Sequence, residues 1–171
     1  MRLPLGKDFT WPMAPTVGGK KVDLRGVPDP PNSLDHSTCL MDPSRKLVFV
    51  TALNPSKKLI LGYVFRREDY PWVQSWLDYP PDRRMARGME FATQPYDVPR
   101  RQTVETNSMF GAPAYRWLPA KSKIESRYLL FYTHAPEGFR KVDDVRIEGG
   151  KLIIEDHKAK KQITLDASLP L

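Results

Sequence analysis

From residue 46 onward, hydrophobic positions gather into short runs separated by polar breaks. Lys46-Leu47-Val48-Phe49-Val50-Thr51-Ala52-Leu53 is one nearly continuous apolar run, and Lys58-Leu59-Ile60-Leu61-Gly62-Tyr63-Val64-Phe65 is a second. Asn54-Pro55-Ser56-Lys57 between them has the composition of a turn. A buried helix cannot carry proline at its middle, because the ring removes an amide proton and clashes with the preceding turn. The two runs therefore predict a β-hairpin, apolar on both faces and central in a layered structure.

Further strands are predicted over residues 72–77, 88–94, 102–107, 124–133, 144–148, 151–156 and 162–166. The last three alternate cleanly, with Val145 and Ile147, Leu152 and Ile154, and Ile163 and Leu165 on one side and polar residues between. Such alternation implies one buried face and one wet face. Gly149-Gly150 is a two-residue hairpin signal, and residues 157–160 form a second turn. No amphipathic pattern reaches three helical turns. The fold class expected is all-β, an antiparallel β-sandwich. Residues 1–33 show neither periodicity and are rich in Pro and Gly. They read as an extended arm that packs over a sheet through Phe9 and Trp11, or as a flexible arm, preceding a sandwich domain at 34–171.

Composition sharpens this picture. Proline accounts for 17 of 171 residues, about twice its usual ~5% share, which favours short strands and kinked connections over a helical bundle. The net charge is +7, but the basic residues are scattered as pairs such as Lys20-Lys21, Lys57-Lys58, Arg66-Arg67 and Lys160-Lys161. Such pairs blunt sheet edges, and no aromatic–glycine RNA motif accompanies them, so no nucleic-acid partner is expected. No apolar run is long enough to span a membrane, and the first residues lack the apolar stretch of a secretory signal. No membrane partner is expected; the compartment stays open, cytoplasmic by default. One cysteine, Cys39, excludes an internal disulfide, and with three histidines it leaves little room for a metal site. Neither a metal nor a cofactor is expected.

Three segments could carry chemistry. A period of two places Tyr70, Trp72, Gln74 and Trp76 on one strand face. Aromatic rings cover the C–H faces of a pyranose and an amide bonds its hydroxyls, so the row reads as a sugar-binding surface or as core filler. In the second segment, Glu90 and Gln94 share a strand face. Flanked by Met89 and Phe91, Glu90 would have a raised pKa if buried, as a general acid or base needs; alternatively it pairs with Arg83, Arg84, Arg87, Arg100 or Arg101. In the third, His36 follows Asp35, an arrangement that orients an imidazole for proton transfer or simply satisfies a loop. Cys39 reads as a buried structural thiol, and His134 and His157 read as surface residues.

Thr93-Gln94-Pro95-Tyr96-Asp97, the Pro119-Ala120-Lys121 turn and the long predicted strand at 124–133 resemble the later half of the galactose-mutarotase-like (aldose 1-epimerase-like) β-supersandwich. The aromatic segment at 70–76 is similar to the stretch lining that family's sugar cleft. The resemblance covers roughly residues 45–170. It implies part of a supersandwich, a sugar or oligosaccharide ligand and an isomerase. The family's catalytic glutamate would fall on Ala92, with Glu90 two residues earlier on the same face.

Two functions follow as expectations. In an aldose 1-epimerase-like enzyme, Glu90 would be the base and His36 the acid, with Trp72, Gln74, Trp76 and Gln94 positioning the sugar. In a non-catalytic carbohydrate-binding module the aromatic face would act alone; a polysaccharide hydrolase or lyase on the same scaffold is a further alternative. Because half a supersandwich would leave apolar strands uncovered, a homodimer is also expected.

Overall fold

A computed structural model describes residues 2–26, 33–80 and 86–171. The proline-rich residues 28–31 of the arm and the Arg83-Arg84 pair lie outside the described residues. The chain folds as two compact units, Met1–Leu40 with Trp72–Tyr115, and Met41–Pro71 with Arg116–Leu171. Both are β-rich, and every sheet among the described residues is antiparallel.

The first unit contains β1 (Met13–Pro15), β2 (Lys21–Asp23) and β3 (Ser33–Leu40). The second contributes β4 (Leu47–Asn54) and β5 (Leu59–Arg66) before the chain returns to the first for β6 (Trp72–Tyr79) and β7 (Ala86–Ala92). Helix α1 (Arg100–Thr106) and the small hairpin of β8 (Ser108–Met109) and β9 (Ala112–Pro113) complete the first unit. The second ends with β10 (Tyr128–His134), β11 (Asp144–Glu148), β12 (Lys151–Asp156) and β13 (Lys161–Asp166).

The second unit is a small sandwich of two three-stranded sheets, β10-β5-β4 and β11-β12-β13. Ile60, Val64 and Phe131 from one sheet pack with Val145, Leu152 and Ile154 from the other in one buried cluster. The predicted hairpin forms, with Asn54 paired to Leu59. The Asn54 carboxamide oxygen accepts from the Lys57 backbone N–H at 3.0 Å and so closes the turn. Gly149 (φ 57°) and Gly150 (φ 73°) make the two-residue turn between β11 and β12, where both central residues need positive φ. At Gly62 the constraint is space. Phe131 lies directly opposite it in the β5–β10 pair, and a Cβ there would fall on the Phe131 ring and within 2.9 Å of Thr51 Cγ2.

Three sequence expectations are revised. Residues 102–107 were expected as a strand and are mostly helix. Pro99 presets the entry, Arg101 pairs with Glu105 one turn on at 2.8 Å, and Asn107 at φ 59° ends the helix. These local contacts outweigh a weak alternation in which only Thr103 is buried. Residues 124–127 do not join the strand predicted at 124–133, which starts at Tyr128. One side of β10 also faces water, since Tyr128, Leu130 and Tyr132 are exposed while Phe131 is buried. Finally, part of the arm is structured as β1 and β2, with Trp11 exposed rather than packed and Phe9 half-buried.

Gly62→Ala should lower stability by about 2 kcal/mol through overpacking against Phe131, read as a lower urea midpoint. An unchanged midpoint would show that the Phe131 ring is not held against Gly62. A second test concerns Asp156, a buried carboxylate that accepts from the backbone N–H groups of Ala159 (2.9 Å), Arg140 (2.8 Å) and Lys141 (3.1 Å). These bonds, led by Ala159, hold its pKa below the ordinary 3.8 against the opposing effect of burial. Asp156→Ala should cost about 2 kcal/mol at neutral pH. Because the folded-state pKa is depressed, the charged form's advantage is complete above the ordinary value and lost as pH falls through the folded one. The stability gap between wild type and variant should therefore narrow below about pH 4, and a gap constant down to pH 2 would contradict this account.

Candidate functional site

The sheet β3-β6-β7 of the first unit positions the site. Its registers stack three rows across the strands: His36, Trp76 and Gly88; Thr38, Gln74 and Glu90; and Leu40, Trp72 and Ala92. Residues directly opposite in an antiparallel sheet share a face. One face therefore carries His36, Trp72, Gln74, Trp76 and Glu90 together. An open basin of about 620 Å³ lies on this face, lined by His36, Gln74, Trp76, Glu90, Gln94 and Asp97.

Gln74 is buried, and both ends of its carboxamide are engaged. Its Nε2 donates to the Gln94 carbonyl at 3.1 Å. A carbonyl oxygen can only accept, so this bond fixes the amide's orientation and turns Oε1 toward His36 Nε2, 3.0 Å away. His36 Nε2 must then carry a proton. In the neutral imidazole, Nδ1 is left as the acceptor. Neutral His36 is thus built to accept a proton at Nδ1; it donates from Nδ1 only as the imidazolium.

Glu90 is exposed, not buried between Met89 and Phe91, and among the described residues it forms no ion pair. Of the arginines considered as partners, Arg87 donates instead to the Leu24 and Arg25 carbonyls, and Arg101 pairs with Glu105. Gly88 makes room for the glutamate: a Cβ there would stand 3.1 Å from Glu90 Oε1 and 3.6 Å from the Trp76 ring. The carboxylate and the indole are therefore neighbours over a residue with no side chain.

Three expectations are corrected by burial and by the pleat. Trp72 is on the expected face but 0% exposed, and its Nε1 donates to the Pro113 carbonyl at 2.8 Å. It fills the interior and is closed to a ligand. Tyr70 precedes β6 in the other unit, where its hydroxyl bonds Ser126 Oγ at 2.7 Å. Asp35 does not orient His36, because adjacent strand residues point to opposite faces. It is buried on the far side, where it accepts from the backbone N–H of Arg2 at 2.6 Å and of Leu3 at 3.2 Å and pairs with Arg2 Nε at 2.5 Å. Cys39 shares that far side, and burial pushes its thiol up to about 11. It is a protonated, unreactive thiol at neutral pH.

Asp97 is the lining residue to which sequence reasoning gave no role. The signal was present in the proline-containing 93–97 loop. Thr38 Oγ1 donates to the Pro95 carbonyl, and the Tyr96 hydroxyl donates to Thr106 Oγ1 at 2.9 Å, so both strand and helix hold that loop. Among the described residues, no group of three or more His, Cys, Asp or Glu could hold a metal ion, and no helix is long and apolar enough to cross a membrane. Comparison of the chain with family models, with curated proteins and with solved structures finds no match.

The oriented amide makes a spectroscopic prediction. Above pH 8, ¹⁵N chemical shifts should show His36 predominantly as the Nε2–H tautomer, and Gln74→Leu should remove that preference. A dominant Nδ1–H form in the wild type would contradict the amide assignment.

Proposed function

We propose that the β3-β6-β7 face binds a carbohydrate, with Trp76 as its stacking platform. The observation that carries this reading is the company Trp76 keeps. It is 36% exposed and lines one basin with an imidazole, two exposed carboxylates (Glu90 and Asp97) and the Gln94 segment. An indole offers apolar area to the C–H face of a pyranose, while carboxylates accept hydroxyl protons and a ring nitrogen supplies a further polar contact. Gln74 contributes indirectly, by fixing the His36 ring.

A non-catalytic sugar-binding surface is the first form of this proposal. Ala92, where the mutarotase-like resemblance would put the catalytic base, lines the basin without a carboxylate. The catalytic form rests on Glu90 and His36, which flank β6 on the same sheet face, two strand spacings apart across the sheet and two residues apart along it, about 12 Å between backbones. Ring opening of an aldose takes a proton from the anomeric hydroxyl and gives one to the ring oxygen. In this form Glu90 accepts the first and the His36 imidazolium supplies the second.

Intrinsic tryptophan fluorescence should respond to a panel of mono- and oligosaccharides with millimolar affinity (about −4 kcal/mol), and Trp76→Ala should abolish the response. A flat signal across the panel would sink the sugar reading. Polarimetry on freshly dissolved aldoses separates the two forms: if mutarotation is accelerated, Glu90→Gln should remove most of the rate. An active Glu90→Gln protein would place the base elsewhere.

A further inference from the structure

A second cavity, of about 210 Å³, lies in the same unit and shares His36 with the basin. Leu3, Phe9, Tyr96, Met109 and Phe110 supply much of its wall. Its charged lining residues, Lys7 and Asp8, are exposed. His36, Ser37 and Thr38 add polar groups to one side, and the cavity is partly open to solvent. About 150 Å³ is enough volume for benzene, so this one has room for an aromatic ring or a short alkyl group. The arm segment that forms one side is anchored: Arg2 is tied to buried Asp35 through its backbone N–H and its guanidinium, and the Arg2 carbonyl accepts from Val17 N–H at 2.8 Å. The cavity is therefore formed before any ligand arrives.

An independent observation concerns Phe110. It occupies the first central position of the turn between β8 and β9, with φ 50° beside Gly111 at φ 77°. Left-handed backbone suits Gly or Asn at that position and is strained for a bulky side chain. The fold recovers little from the ring, which is 56% exposed. A strained aromatic that lines a cavity while remaining open to solvent is better explained by a ligand than by packing.

We infer that the ligand is a glycoside with an apolar aglycone of about one aromatic ring, its sugar on Trp76 and its aglycone in the arm cavity against Phe110. This rests on the carbohydrate reading of the basin. His36, at the junction of the two cavities, would sit beside the glycosidic linkage.

The test compares matched methyl and phenyl pyranosides of glucose, galactose and mannose, in both anomers, by NMR titration of the full chain. For sugars that bind, the phenyl glycoside should bind tenfold or more tighter than its methyl counterpart. Phe110→Gly should erase that advantage and leave methyl-glycoside affinity unchanged. Its melting temperature should hold or rise, because glycine accepts the φ that phenylalanine does not; Phe110→Asn serves as a second variant with the same expectation. Equal affinity for phenyl and methyl glycosides, or a phenyl advantage that survives both substitutions, would overturn the inference and leave the sugar reading standing. Failure of every glycoside to bind, with or without binding of benzyl alcohol alone, would overturn both.

Discussion

The pleat of the β3-β6-β7 sheet sends successive residues to opposite faces, and the candidate site depends on that constraint combined with one pairing register. His36 opposite Trp76, and Gln74 opposite Glu90, are consequences of that register. A slip of one residue would carry the imidazole to the far side and bring Asp35 into the basin. The same alternation gives β3 two tasks. Its far side anchors the arm through Asp35, and its near side supplies His36 to the basin.

Buried polar groups do the positioning. Gln74 is worth keeping in a buried position only because both ends of its amide are bonded, and those two bonds determine which nitrogen of His36 carries the proton. Asp35 is buried against two backbone N–H groups and a guanidinium, and Asp156 against three backbone N–H groups. Each joins segments distant in sequence or closes a turn. Glu90, Asp97 and His36, by contrast, are exposed on the basin.

The other unit shows how close packing sets a different kind of limit. The Phe131 ring lies where a side chain at Gly62 would otherwise be, and the two sheets of that sandwich meet through the cluster containing it. Its edge strand β13 alternates half-buried and exposed residues and carries Lys161 and Asp166, a pattern that discourages pairing with other chains. β10 instead turns Tyr128, Leu130 and Tyr132 outward.

Residue periodicity and turn chemistry were enough to determine the all-β class, the hairpin at 47–66 and the three-strand meander at 144–166, since these depend on neighbours close in sequence. Period-two spacing also placed Trp72, Gln74 and Trp76 on one side of their strand; that Glu90 joins them from the next strand follows from the β6–β7 register. Tertiary structure decided the rest. Strand β3 carries mostly polar residues, and its polarity is satisfied by the arm, by Gln74 and by the Pro95 carbonyl, none of which is adjacent to it in sequence. Helix α1 wins over a strand through contacts one turn apart, which alternation does not register. Whether a tryptophan is interior or open to solvent is a matter of what covers it. Trp72 and Trp76 are four residues apart on one face, and only the packing around Trp72 and its bond to Pro113 separates a buried ring from a part-exposed one.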